Sequence, residues 1–256
     1  MDKNKLLLAK VSDKIRQYEK NAETVHTFFL DPAEQLDVDQ ILRKIPHYFE
    51  GGYDTAERKI AIIGDEEIDI ISVICIFSNA ELSHRNVLGS VLGLGIQRER
   101  IGDIIIDGNS AQVVTLKDIA NYLLNNLKSV GREKVTVSEK TKSELEIPKA
   151  EEKEINVTVP SMRLDAVISS GFGMSREESS AIIKAERVNL NYKLVTSNIK
   201  QVVAGDLISV RGHGRIEIKQ IVGETRKNRI RLLAVKKWWF YVTHFFITFV
   251  MKKWVT

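Results

Sequence analysis

Apolar positions change their period along this chain, and the changes divide it. Leu6, Leu7, Val11, Ile15 and Tyr18 recur at helical spacing through a charged stretch, which predicts an amphipathic helix. Asp31-Pro32 has the form of a helix start, with Asp31 as N-cap and Pro32 at the first helical position. Gly51-Gly52 breaks that pattern, so residues 1–57 read as an N-terminal helical segment. From Arg58 the period changes. Lys59–Ile63 and Ile68–Phe77 are β-branched runs joined by Gly64-Asp65, and they predict a hairpin. Ser83 caps a helix to about Leu92, closed by Gly93 and Gly95. Gly102–Ile106 and Gln112–Thr115 flank Asp107-Gly108, a second hairpin. Leu116–Leu127 puts Ile119, Leu123, Leu124 and Leu127 on one helical face, and Val135–Val137 closes with a strand. The order β-β-α-β-β-α-β over residues 58–140 is that of a small α/β sandwich.

Residues 141–154 are mostly charged around Pro148 and read as a linker. A compact module follows over 155–235. Met162–Ser169 predicts a short helix ended at Gly171-Phe172-Gly173, and Ser175-Arg176-Glu177-Glu178 is a capping box opening a second helix. Arg187–Leu190 and Leu207–Val210 read as strands, joined through turns at Asn191-Tyr192-Lys193 and Val203–Asp206. The fold class is therefore α+β.

Charge separates the two halves more sharply than hydropathy does. Residues 1–154 carry 21 Lys/Arg against 27 Asp/Glu, whereas residues 155–237 carry 15 against 7. An acidic front and a basic back mean that only the back suits a polyanion. The single cysteine, Cys75, lies in the run Ile70–Phe77 and reads as a buried core thiol. Five histidines (His26, His47, His84, His213, His244) lack ligand spacing, so no metal site or cofactor is expected. With no secretory h-region at Met1–Lys10, the expected location is cytoplasmic.

Cationic residues at the starts of the two module helices carry the candidate chemistry. Arg163 and Arg176 stand in consecutive first turns, where free N–H groups and guanidinium forks can share phosphate oxygens. Lys184 follows on the second helix, and Lys193, Arg211 and Arg215 lie at strand ends beyond it. Arg163-Leu164-Asp165, Ser175-Arg176, Lys184, Val188–Asn191 and Gly205–Val210 together resemble the RNA-binding module of small-subunit ribosomal protein four, also called the αL motif. That resemblance implies RNA contacts at Arg163, Ser175, Arg176 and Lys184. Tyr192 departs from it, standing where the family favours glycine.

A further resemblance spans residues 1–235. Phe28–Pro32, Gly51-Gly52-Tyr53, Ala56–Lys59, Leu82–Gly89, Leu94–Asp103 and Gly212–Arg215 are similar to the bacterial YlmH family. It implies a central domain like an RNA-recognition motif. It also implies a noncatalytic role in ribosome-associated quality control, with ribosomal RNA, the large subunit and peptidyl-tRNA as partners and no small-molecule substrate. His84 and Arg85 at a helix start, with Arg98 and Arg100, form a candidate second patch for RNA or ribosome. Its alternative is local: a held helix start, and arginines paired to Asp103 or Glu99.

Two rival functions stay on the page. One is an RNA-modifying enzyme of the pseudouridine-synthase kind, but the module comes last and no methyl-donor loop or catalytic-aspartate loop precedes it. Gly89-x-x-x-Gly93-x-Gly95 lacks the order and setting of a nucleotide loop. The other rival is a membrane-linked division factor using Trp238–Met251, a run of 14 mostly apolar residues between lysine pairs. That run is too short for an ordinary span, and an interfacial anchor would need a polar face that it lacks.

Overall fold

The computed structural model describes residues 3–147 and 152–237, which fall into two compact units. Trp238–Met251 lies outside the described residues. Among those described, no helix is long and apolar enough to cross a membrane.

The first unit begins with α1 (Lys3–Asn21), β1 (Val25–His26), α2 (Pro32–Leu42), β2 (His47–Glu50) and β3 (Ile60–Ile63). Asp31 caps α2 as expected, and Glu34 completes a reciprocal capping box. The segment is not only helical, because the three strands form a small sheet in the order β1-β3-β2. Leu42, Val38 and Val11 of the helices pack on Ala61 and Ile63.

The hairpin expected through Gly64-Asp65 does not form. Ile63 instead pairs with both Val25 and His47. All four residues of β3 are fully buried, so this strand requires neighbours on both edges, which a hairpin would not supply. Gly64 turns the chain away at φ 132°, with Thr24 close to where a Cβ would stand.

The larger sheet is built from β4 (Ile71–Ser78), β5 (Ile101–Asp107), β6 (Ser110–Leu116), β7 (Ser129–Val130) and β8 (Glu133–Lys140), ordered β5-β6-β4-β8-β7. α3 (His84–Gly93) and α4 (Lys117–Asn126) cover one face. The order β4-α3-β5-β6-α4-β8 is a βαββαβ arrangement, with the Asp107-Gly108 hairpin in place. Val87, Val91 and Leu123 bury against Ile74, Ile76 and Val113. Cys75 is 1% exposed on the opposite face, and burial pushes its thiol up from the ordinary value. The small sheet closes one end of that face, where Phe29, Ile60 and Ile62 meet Ile71, Val114 and Leu116.

The second unit has β9 (Glu152–Val159), α5 (Leu164–Phe172), α6 (Arg176–Lys184), β10 (Val188–Leu190), β11 (Lys193–Leu194), β12 (Leu207–Val210), β13 (Gly214–Glu224) and β14 (Ile230–Lys237). The strands form an antiparallel sheet ordered β11-β10-β12-β13-β14-β9. Leu164, Ile168 and Ile183 of the helices pack on Ile208, Ile216, Leu232 and Ala234. β9 starts inside the stretch expected to be a linker, and β14 continues past residue 235. β9 is an edge strand, and its first residues, Glu152, Lys153 and Glu154, are charged and exposed. Edge strands tolerate charge, which hides them from a hydrophobic pattern.

Candidate nucleic-acid interface

The starts of α5 and α6 converge on one buried carboxylate. Arg163 occupies the N-cap position of α5 without capping it, and its guanidinium turns to Asp165 instead. Arg163 donates from Nε at 3.2 Å and from NH2 at 3.0 Å to the two oxygens of Asp165. Arg176 donates to the same carboxylate at 2.8 Å. The Asp165 side chain is 5% exposed, against 40% for Arg163 and 43% for Arg176. Ser179 fixes the approach of the helices by donating its hydroxyl to the Asp165 carbonyl at 3.0 Å. The αL turn at Gly173, φ 69°, returns the chain between them.

This arrangement has a chemical consequence. Two guanidinium groups carry five N–H donors each, and one carboxylate uses only some of them. Charge at the cluster is two positive against one negative, and both cations are pinned while keeping an outer face in water. Pinned forks of this kind recognise phosphate oxygens with little further ordering.

The helix N-terminus itself is less open than the sequence suggested. Ser175 accepts the Glu178 N–H at 3.1 Å, and the Glu178 carboxylate accepts the Ser175 N–H at 2.8 Å. The Ser175 N–H holds the Glu178 carboxyl below the usual range. The first turn of α6 thus supplies its own anion, and Ser175 is a cap within the fold. The positive character comes from the arginine side chains.

The other expected residues do not all join that cluster. Lys184 is exposed in the last turn of α6. There it neighbours Arg187, whose NH2 donates to the Arg211 carbonyl at 3.0 Å while the Arg211 N–H returns a bond at 2.9 Å. Lys184, Arg187 and Arg211 therefore make a second basic group, about 12 Å along α6 from Arg176 at the helical rise. Arg187 was missed by the sequence reading, though its position three residues after Lys184 was a usable signal. Lys193 sits on the edge strand β11 beyond Leu190, at the opposite end of β10 from Arg211. Arg215 is 9% exposed on β13, with its guanidinium 5.6 Å from the centre of the Tyr192 ring. Its place in the fold is under that ring, not on the open surface where a phosphate contact was expected.

The second candidate patch is largely consumed inside the first unit. Arg98 donates to the carbonyls of Ile101 and Gly102, and burial lowers it to about 10. Arg100 pairs with Asp118 and lies over the Phe28 ring. His84 is half-buried, and burial, with Arg98 nearby, lowers it to about 4. Of the four, only Arg85 is exposed. Neither arginine pairs with Asp103 or Glu99 in the way the local alternative expected. Asp103 instead accepts from the Tyr53 hydroxyl and from the Glu57 and Arg58 backbone N–H groups. Among the described residues, no three of His, Cys, Asp and Glu are grouped as metal ligands.

Residues 64–144 match the family model "Putative RNA-binding domain in YlmH". The chain is 33% identical over 217 residues to "Ribosome-associated protein quality control protein P2" of Bacillus subtilis (strain 168), covering 80% of this chain and 84% of that protein. A solved structure, "Cell division protein ylmH from Streptococcus pneumoniae", shares the fold with a TM-score of 0.50 at 21% identity, over 58% of this chain and 96% of that one. Identity at this level, over this share of both sequences, shows that the chain belongs to the YlmH family.

Proposed function

We propose that this chain binds structured RNA on the ribosome and acts by binding and positioning in ribosome-associated quality control. The observation that carries the reading is the pair Arg163 and Arg176, both held on buried Asp165 with their outer faces in water. Rigid cations on short helices suit the phosphate path of folded RNA, which is recognised by shape. The resemblance of residues 155–235 to the ribosomal-protein-four module favours the same assignment, as does the printed name of the Bacillus relative. The finer partners we propose are the large ribosomal subunit and the peptidyl-tRNA it carries.

Sucrose-gradient co-sedimentation with purified subunits at low and moderate salt tests this. Comigration with the large subunit, strengthened by peptidyl-tRNA and lost at higher salt, is the expected result. A folded Arg163→Glu/Arg176→Glu variant that comigrates as well as the natural chain would overturn the assignment of the site.

A further inference from the structure

β4 is the central strand of the larger sheet, and its side chains alternate between two environments. Ile74 and Ile76 face α3 and α4, while Val73, Cys75 and Phe77 lie on the helix-free face. Val73 and Cys75 are buried there, but Phe77 is 47% exposed. The rest of this face is closed. The small sheet covers Ile71 and Val114, and Glu146 crosses over Gln112 through hydrogen bonds of 2.7 and 3.0 Å. Only the end holding Phe77 stays open.

The neighbours of that ring are polar and, on one side, basic. Register sets Ser110 and Thr136 directly beside Phe77. Lys134 stands two residues before Thr136 on the same face, and it is exposed. Phe77, Ser78, Asn79, Lys134, Val135 and Thr136 line a shallow hollow of about 220 Å³. Around it the chain carries Lys128, Arg132 and Lys134 against Glu133, all exposed, a local positive excess within an acidic half. A protein-docking patch would surround its aromatic with apolar side chains, and these neighbours are hydroxyls, an amide and a lysine. A bare ring with hydrogen-bonding groups and a nearby cation matches an unpaired base and its phosphate.

We infer that Phe77 is a stacking platform for one unpaired base of single-stranded RNA, with Lys134 beside it for the adjoining phosphate. One ring is exposed on this face, so the site takes one base. The inference rests on the RNA-binding reading above, but it uses the other unit of the chain.

The test is fluorescence anisotropy on the full chain with two probes, a short labelled oligouridine and a structured RNA hairpin. Phe77→Ala and Phe77→Leu should each weaken oligouridine binding roughly tenfold, the scale of base–aromatic stacking, while Phe77→Tyr keeps it. Hairpin affinity should not move, and unchanged melting curves would show that the variants fold. Arg163→Glu/Arg176→Glu should show the reverse, losing the hairpin first. If Phe77→Ala and Phe77→Leu bind oligouridine like the natural chain, the stacking site is wrong while the hairpin interface stands. If the natural chain binds the hairpin but not oligouridine, the stacking site is again overturned. Hairpin binding that survives the double charge reversal would count against the interface on the second unit and leave Phe77 to be judged on its own probe.

Discussion

At Asp165 a carboxylate with 4% exposure receives hydrogen bonds from two arginines, and its own backbone carbonyl accepts from Ser179. Asp165→Asn keeps the shape and removes the charge that holds both guanidinium groups. It should cost about 2 kcal/mol of stability in urea unfolding, the scale of a charged hydrogen bond. It should also weaken hairpin binding, even though it makes the chain more positive; tighter binding would mean that the arginines act only as diffuse charge. His84 makes a separate prediction about pH. Its folded value of about 4 lies below the ordinary 6.5, so the unfolded chain binds the proton more readily. Stability from this group is therefore full above pH 6.5 and falls as pH drops toward 4. Between neutral pH and about pH 5 the first unit should lose about 2 kcal/mol, and His84→Leu should abolish that part of the dependence. Arg163, Arg176 and Lys184 were legible as cations from their spacing, but the withdrawal of Arg215 beneath Tyr192 was not. A sequence shows a charge, and only packing shows which side of a strand carries it.

Helix ends were the most legible elements because caps are local chemistry. Asp31, Ser83 and Ser175 each accept the expected backbone N–H. The far end of α6 holds a feature that spacing does not reveal. The Arg187 N–H bonds to the Ile182 carbonyl and the Glu186 N–H to the Ile183 carbonyl, a Schellman ending with Glu186 at φ 57°. Glycine takes that conformation freely, whereas a side chain strains it. Glu186→Gly should raise stability by about 1 kcal/mol, read as a higher urea midpoint with an unchanged slope. Strand pairing was less legible. The buried run Ile60–Ile63 looks like half of a hairpin until its two true partners, from residues 25–26 and 47–50, are seen. Both partners are short, and neither adjoins it in sequence.

Across the whole molecule, charge and function divide along the same line. The basic excess of residues 155–237 sits on the unit that holds the arginine pair, so hairpin affinity should fall linearly with the logarithm of salt concentration. Arg176→Gln should make that slope shallower by about 1, while Arg98→Gln, at a guanidinium spent on carbonyls, should leave the slope alone and reduce stability. By itself the sequence determined the α+β class, the helix caps, the Asp107-Gly108 hairpin and the split between acidic and basic halves. Each of these depends on neighbours within a few residues, or on composition, and needs no knowledge of the fold. Tertiary structure alone decided that β3 joins the small sheet and that charged β9 completes the large one. It also decided that Asp165 gathers Arg163 and Arg176, that Arg98 and Arg100 turn inward, and that Phe77 remains in water. These depend on which distant segments meet, and burial and pairing between such segments are properties of the folded chain.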